Sequence, residues 1–344
     1  MSLLVASHLT QHFTVYQSRP GLLGAMRALV GGRIKKVIHA LEDFSFTLHA
    51  GEIVGLIGPN GAGKSTFVKL ATGILPPTSG ALQVFGLEPF RHRARIAQSY
   101  GVVFGQRSQL WWNLPAREAF QALARIYALD LAAAQVQIDY LTEVMDLKDF
   151  MATPVRQLSL GQRVRCDVAA ALIHQPKLIF LDEPTVGVDV VAKERLRGFI
   201  RRVNQECGVT ILLTSHDMVD IERLCQRVVV IDKGRLAYEG PLEALRKRIT
   251  TERQLVLDLK GEPERLRVSA GEVIQRDGAR VVIRFDAQAH SAMEILAQVA
   301  ETCEVSDFSI REMPIDQVIA QIYHQNASQP VPDTPENLAS ANVC

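Results

Sequence analysis

The chain has 344 residues, of which 47% are hydrophobic and 22% charged, and its formal net charge is +1. That length accommodates one large α/β domain and a smaller second one. The near-neutral balance argues against the broad basic face that a large nucleic-acid footprint needs, so no nucleic-acid partner is expected.

No apolar run approaches the roughly 18–20 uncharged residues of a membrane-spanning helix. The opening "MSLLVASHLTQHF" has neither a basic leader nor a sustained apolar core, so no signal peptide is expected. Any membrane link would then pass through a partner or a surface helix. The five cysteines show no C-x-x-C spacing and indicate neither a zinc site nor a disulfide framework, which fits a reducing cytoplasm. Two local basic clusters, Arg91, Arg93 and Arg95, then Arg246, Lys247 and Arg248, read as solvated faces.

Along the chain, residues 1–245 read as strands and helices in alternation. An inserted stretch, 19–37, places Leu22, Leu23, Met26, Leu29 and Val30 on one helical face, with Arg27, Arg33, Lys35 and Lys36 toward its end. Such a helix would lie on a membrane surface, against a membrane protein or on its own domain. In "ALEDFSFTLHAGEIVGLIG" the alternating Phe44, Phe46 and Leu48 and the apolar run Ile53 to Ile57 predict two strands, the second buried on both faces. The short apolar runs "KLIFLDE" and "VTILLTSHD", separated by helical patterns, predict a mostly parallel sheet with crossover helices. "RVVVIDKGRLAYEG" predicts a hairpin turning at Asp232 to Gly234. Residues 250–325 change character: alternating strands, a hairpin at Asp277-Gly278 and two helical stretches predict a small α+β domain of ferredoxin-like type. Residues 326–344, Pro- and Ser-containing and without periodicity, read as a disordered tail.

"GPNGAGKST", Gly58 to Thr66, follows a buried strand and opens an apolar helical pattern, the setting of a phosphate-binding loop. Gly58, Gly61 and Gly63, with Pro59, Asn60 and Ala62 between them, permit the backbone angles that turn successive N–H groups inward. The helix N-terminus adds its positive dipole end. Lys64 would neutralise the β- and γ-phosphates of a nucleotide, and Ser65, followed by Thr66, would offer an oxygen to Mg²⁺. "LIFLDEP" places Asp182 and Glu183 at the carboxyl edge of the sheet, where open α/β sheets bind ligands. Asp182 would hold Mg²⁺ through water, and Glu183 would act as general base. His216 ends the strand of "VTILLTSH"; its position alone leaves structural and catalytic roles open. In "QLSLGQRVRC", Ser159 followed by Gln162 forms a capping box at a helix start, a free N-terminus with a hydroxyl that suits an anion.

The order of Gly58 to Thr66, then Gln106, "LSLGQ", "LIFLDEPTVGVD" and His216 resembles the ATP-binding cassette (ABC) ATPase domain over roughly residues 3–245. That resemblance implies a P-loop NTPase fold with a helical signature subdomain, and ATP with Mg²⁺ as cofactors. It implies that Ser159, Gly161 and Gln162 form a signature that contacts the γ-phosphate of a partner domain, so that two copies close head to tail around two ATPs. It makes Gln106 the Q-loop residue that senses Mg²⁺ and the γ-phosphate, Asp189 a D-loop residue at the dimer seam, and His216 the switch histidine. Leu160 departs from the family pattern, where glycine is usual. The family's adenine-stacking aromatic matches Phe13 best, with Tyr16 close behind; the interval from there to the phosphate loop is stretched by the insertion.

By the same resemblance the protein is the ATPase subunit of an ABC transporter, most similar to bacterial drug- and polysaccharide-export ATPases. It would drive a separate integral-membrane permease from the cytoplasmic face of the inner membrane. The segment containing Trp111 and Trp112 falls in the helical subdomain that receives the permease; at least one of the two is exposed as an anchor, or both are core. A non-transport ABC ATPase acting on ribosomes or DNA is the alternative. A GTPase or kinase sharing only the phosphate loop would leave the signature and His216 unexplained.

Overall fold

The computed structural model describes residues 1–17, 34–105, 108–249, 252–261, 266, 268–312 and 315–327. Two compact units divide the chain, Met1–Leu242 and Glu243–Cys344. Most of the inserted stretch read above as a helix, together with Gln106 and the tail from 328, lies outside the described residues.

The first unit opens with β1 (Ser2–Gln17), β2 (Ile34–His49) and β3 (Ile53–Ile57), and the phosphate loop leads into α1 (Lys64–Ala71). Then come β4 (Ser79–Val84), β5 (Tyr100–Phe104), α2 (Ala116–Ile126), α3 (Leu131–Val144) and α4 (Leu160–Ala170). They are followed by β6 (Leu178–Asp182), α5 (Val190–Cys207), β7 (Thr210–Thr214), α6 (Met218–Leu224), β8 (Arg227–Asp232) and β9 (Arg235–Pro241); the next helix, α7 (Leu242–Ile249), belongs to the second unit from Glu243 on. The strands form two sheets, an antiparallel β2–β1–β4 and a six-stranded β5–β6–β7–β3–β8–β9 that is parallel except for the β8–β9 hairpin. The short apolar runs of β6, β7 and β8 are buried almost throughout because neither face of a crossover sheet meets water.

Helix α1 lies in the core shared by the two sheets. Phe67 meets Phe44 at 5.0 Å and Phe46 at 5.9 Å between ring centroids, edge to face, so the alternation of β2 and the apolar face of α1 are two halves of one contact. That contact fixes the helix whose first turn carries Lys64 and Ser65.

One expectation changes, and one open alternative is decided. Strand β2 already begins at Ile34 and pairs with β1 as far as Gln17, so Lys35 and Lys36 are strand residues rather than the basic end of an inserted helix. Trp111 and Trp112 occupy an irregular segment before α2, and both are exposed, at 42% and 52%.

The second unit is a four-stranded antiparallel sheet of order β11–β12–β10–β13, from β10 (Glu252–Leu259), β11 (Glu272–Asp277), β12 (Arg280–Asp286) and β13 (Val305–Glu312). Helix α8 (Ala292–Ala300), opened by a Ser291–Glu294 capping box, places Ile295 and Val299 against Leu255, Leu257, Val281 and Ile283. Helix α9 (Ile315–Ala327) runs two residues into the stretch read as tail.

Candidate functional site

The phosphate loop is shaped by close backbone approaches. A Cβ on Gly63, whose φ is 112°, would lie 2.3 Å from the Ala40 carbonyl, and one on Gly58 would lie 2.7 Å from the Ile231 carbonyl. The β8–β9 turn holds the loop from the other side, with the Gly234 N–H donating to the Ala62 carbonyl at 3.0 Å. Because its N-cap is glycine, α1 begins without a side-chain cap and without an acid in its first turn. Its leading N–H groups are therefore left for an anion. Pro59, Asn60, Gly61 and Ser65 are exposed and Thr66 is half-buried.

Lys64 is 5% exposed, and its Nζ donates to the carbonyls of Gly58 at 2.7 Å and Pro59 at 3.3 Å. Burial pulls its ammonium below the usual lysine range, while Glu183 and Asp182 act in the opposite direction. A buried cation curled onto the carbonyls of an open loop fits a nucleotide triphosphate, whose phosphates would offer better acceptors.

The two carboxylates at the end of β6 turn to different partners. Asp182 Oδ1 accepts from Thr214 Oγ1 at 2.6 Å and from Ser65 Oγ at 3.3 Å, a set of oxygens that suits a hard divalent cation. Glu183 has a φ of 54°, an uncommon conformation for a side-chain-bearing residue, held by its N–H donating to both the carbonyl and Oγ1 of Thr214 at 3.0 Å. Its Oε1 stands 4.0 Å from Lys64 Nζ and 3.5 Å from His216 Nδ1. The chain approaching Gln106 passes directly behind this pair: Gly105 N–H donates to the Asp182 carbonyl at 2.7 Å, and a Cβ there would lie 2.1 Å from the Glu183 carbonyl.

Lys64, Ser65, Asp182, Glu183 and His216 are thus joined in one cluster. Ser159, Gly161, Gln162 and Asp189 form another. The capping box at Ser159 and Gln162 is present, with hydrogen bonds of 2.9 and 3.2 Å. Asp189 caps α5 by accepting from the Ala192 N–H at 2.9 Å. A Cβ on Gly161 would lie 3.0 Å from Ala192 Cβ, and one on Gly187 would lie 2.9 Å from Leu160 Cδ2, so the start of α4 and the chain entering α5 pack on each other. Phe13 is half-buried on β1 opposite Ile38, two positions from the Ala40 that underlies Gly63. Tyr16 lies three positions further along the same ladder, opposite Lys35.

Three features were not foreseen from the sequence. One is Thr214, fully buried at the end of β7; a threonine closing an apolar run was its only signal. Another is a network behind His216: buried Asp220 accepts from Arg197 Nε at 2.7 Å, Thr185 Oγ1 at 2.5 Å and Ser215 Oγ at 3.1 Å. The last is Asp167 on α4, which accepts from Ser108 and Gln109.

A family model described as "ABC transporter" matches residues 41–186. The ABC transporter ATP-binding protein NatA of Bacillus subtilis is 36% identical over 211 residues, which cover 61% of this chain and 85% of NatA. Nod factor export ATP-binding protein I of Sinorhizobium fredii is 41% identical over 209 residues, 60% of this chain and 59% of that protein. Among solved structures, a dimeric post-hydrolysis ATP-binding cassette bound to ADP and Pi superposes with a TM-score of 0.58 over 70% of this chain and 98% of its own. At 23% identity that likeness concerns the fold.

Proposed function

From the premise that the chain belongs to the ABC transporter ATP-binding proteins, we propose that two copies close head to tail around two ATPs and drive a separate membrane permease in the export direction. The observation that carries this reading is the convergence of Lys64, Asp182, Glu183 and His216 on the open N-terminus of α1.

Lys64 leaves the loop carbonyls and neutralises the terminal phosphates, which the N–H groups of the loop and of α1 hold by charge-assisted hydrogen bonds. Ser65 and Asp182, with Gln106, are the residues that would hold Mg²⁺, which when bound draws charge from the phosphates. Glu183 Oε1 orients the attacking water and accepts its proton. His216, within reach of Glu183, fixes that carboxylate and the water. Phe13 stacks on the base. Ser159, Gly161 and Gln162 present the N-terminus of α4 to the phosphates held by the partner copy, and Asp189 lines the seam.

A dimeric cassette of the same fold and a relative named for Nod factor export support pairing and export. No helix among the described residues is long and apolar enough to cross a membrane; the relatives named as transporter ATP-binding proteins are what support a place at the cytoplasmic face of the inner membrane, beside the permease. Exposed Trp111 and Trp112 supply the apolar part of that contact. From β11 onward, the second unit's strand order and the helix between β12 and β13 support a ferredoxin-like accessory domain over about 250–325. The test is Glu183→Gln with saturating ATP: a stable dimer that binds but does not turn over nucleotide is expected, and a monomer refutes the pairing.

A further inference from the structure

The signature helix α4 carries a carboxylate for which the proposed mechanism has no use. Asp167 is 5% exposed. Its Oδ1 accepts from Ser108 Oγ at 2.8 Å and from the Gln109 N–H at 3.1 Å, and Gln109 Nε2 donates in return to the Asp167 carbonyl at 2.7 Å. Ser108 Oγ in turn accepts from the Leu110 N–H at 3.2 Å. One turn earlier on the same face, the Arg163 guanidinium lies 5.3 Å over the Trp112 ring.

Burial pushes the Asp167 carboxyl up to about 6, against the pull of its donors. Packing alone would be served better by an apolar side chain here. The partners of Oδ1 both come from one short segment outside its own helix. Asp167 is therefore suited to hold that segment in one place.

We propose that Asp167 is a positioning residue that fastens residues 108–110, the continuation of the Q-loop, to the helix whose N-terminus presents Ser159. Eight residues of α4 separate Ser159 from Asp167, about 12 Å along a rigid helix at 1.5 Å per residue. A displacement of the signature by the partner's nucleotide is thereby carried to the segment that leaves Gln106 in the copy's own site. The two ATP sites are coupled through this contact. The inference rests on the head-to-tail pairing proposed above.

The test uses the full chain with Asp167→Ala, Asp167→Asn and Ser108→Ala. Asparagine keeps an oxygen that accepts from both donors; alanine keeps none. The readouts are kcat, the Hill coefficient for ATP, the Kd of a fluorescent ATP analogue and the thermal midpoint. Asp167→Ala is expected to lower kcat about tenfold and bring the Hill coefficient to about 1, with Kd changed less than about twofold. Asp167→Asn is expected to restore both, and Ser108→Ala to fall between, which covers the case in which the alanine at 167 does not fold. An unchanged rate and Hill coefficient in Asp167→Ala overturn the proposal. So does an asparagine variant that fails as badly as alanine, since that marks a structural role, or a parent without cooperativity. The parent Glu183→Gln chain separates the two readings: if it stays monomeric with ATP the pairing itself fails, whereas if it dimerises and Asp167→Ala behaves as wild type, only the positioning role fails.

Discussion

Thr214 Oγ1 donates to Asp182 Oδ1 at 2.6 Å across neighbouring strands, and the same oxygen accepts the Glu183 N–H at 3.0 Å. One hydroxyl thereby orients the carboxylate beside Ser65 and supports the strained backbone of the proposed base. Thr214→Val keeps the shape and removes the donor. Its expected cost is about 1–3 kcal/mol of stability, the range for a polar group deprived of its partner. Hydrolysis should fall about tenfold and need more Mg²⁺, because Asp182 is no longer held toward Ser65, while nucleotide binding without Mg²⁺ persists. An Mg²⁺ titration of the ATPase rate decides it; an unchanged titration makes Thr214 a packing residue.

Gly61 and Gly63 differ in a way that substitution can read. Both have positive φ, 83° and 112°, but a Cβ at Gly61 meets nothing within 4 Å, whereas one at Gly63 strikes the Ala40 carbonyl. Gly61→Ala should therefore cost only the conformational term, about 1–2 kcal/mol. Gly63→Ala adds a collision with backbone that cannot yield, so it should cost about 3 kcal/mol or more and abolish ATP binding. Urea unfolding and nucleotide titration of the two variants should separate them; equal losses would contradict the close approach of β2 to the loop.

What could be read from the sequence was what local chemistry dictates. The phosphate loop is legible because a positive-φ glycine, a buried strand before it and a helix after it all fall within a dozen residues. The strands of the second unit are legible because a half-buried ladder needs alternation. Asp182 and Thr214 are 32 residues apart, and Asp167 and Gln109 are 58 apart. Their pairing depends on which strand or segment lies alongside, which no local period encodes. Lys35 and Lys36 were misassigned for a related reason: the β1–β2 ladder extends past the apolar alternation that marks its core, and a basic pair at its end looks like a helix terminus. The Trp111-Trp112 pair sits in a turn, where neither period applies.

Asp167 also predicts a pH dependence of stability. Its folded-state carboxyl is raised to about 6, above the ordinary aspartate value near 3.9, so the folded state binds the extra proton between those limits. Stability contributed by this group therefore falls as pH rises from about 4 to about 6, and above that the full penalty of burying the charge, at most about 3 kcal/mol, is present. Asp167→Asn removes that penalty while keeping the acceptor. Urea unfolding at pH 7.5 should show the variant more stable than the parent, with the gap closing toward pH 4.5. A gap that is absent or independent of pH would mean that the carboxylate is adequately solvated by its donors.

The network behind His216 gives the sharpest separation of stability from function. Asp220 is fully buried, and its charge is balanced by Arg197, whose Nη2 lies 2.6 Å away, while Thr185 and Ser215 complete its hydrogen bonds. Arg197 comes from α5, the helix capped by Asp189, and Lys193 one turn earlier pairs with Asp217 at 2.7 Å, so α5 grips the chain that follows His216 at two points, Asp217 and Asp220. Arg197→Met leaves a buried carboxylate without its cation and should cost about 3–5 kcal/mol. Adding Asp220→Leu removes the stranded charge, and the double variant should recover most of that loss, because a buried ion pair exchanged for apolar side chains is often neutral. Hydrolysis should not recover with it. Thr185 and Ser215 then have no common acceptor, and the segment that follows His216 keeps only the Lys193–Asp217 pair as its tie to α5. Denaturation curves and ATPase rates on the single and double variants test this together; a double variant that regains both stability and rate would show the network to be packing alone.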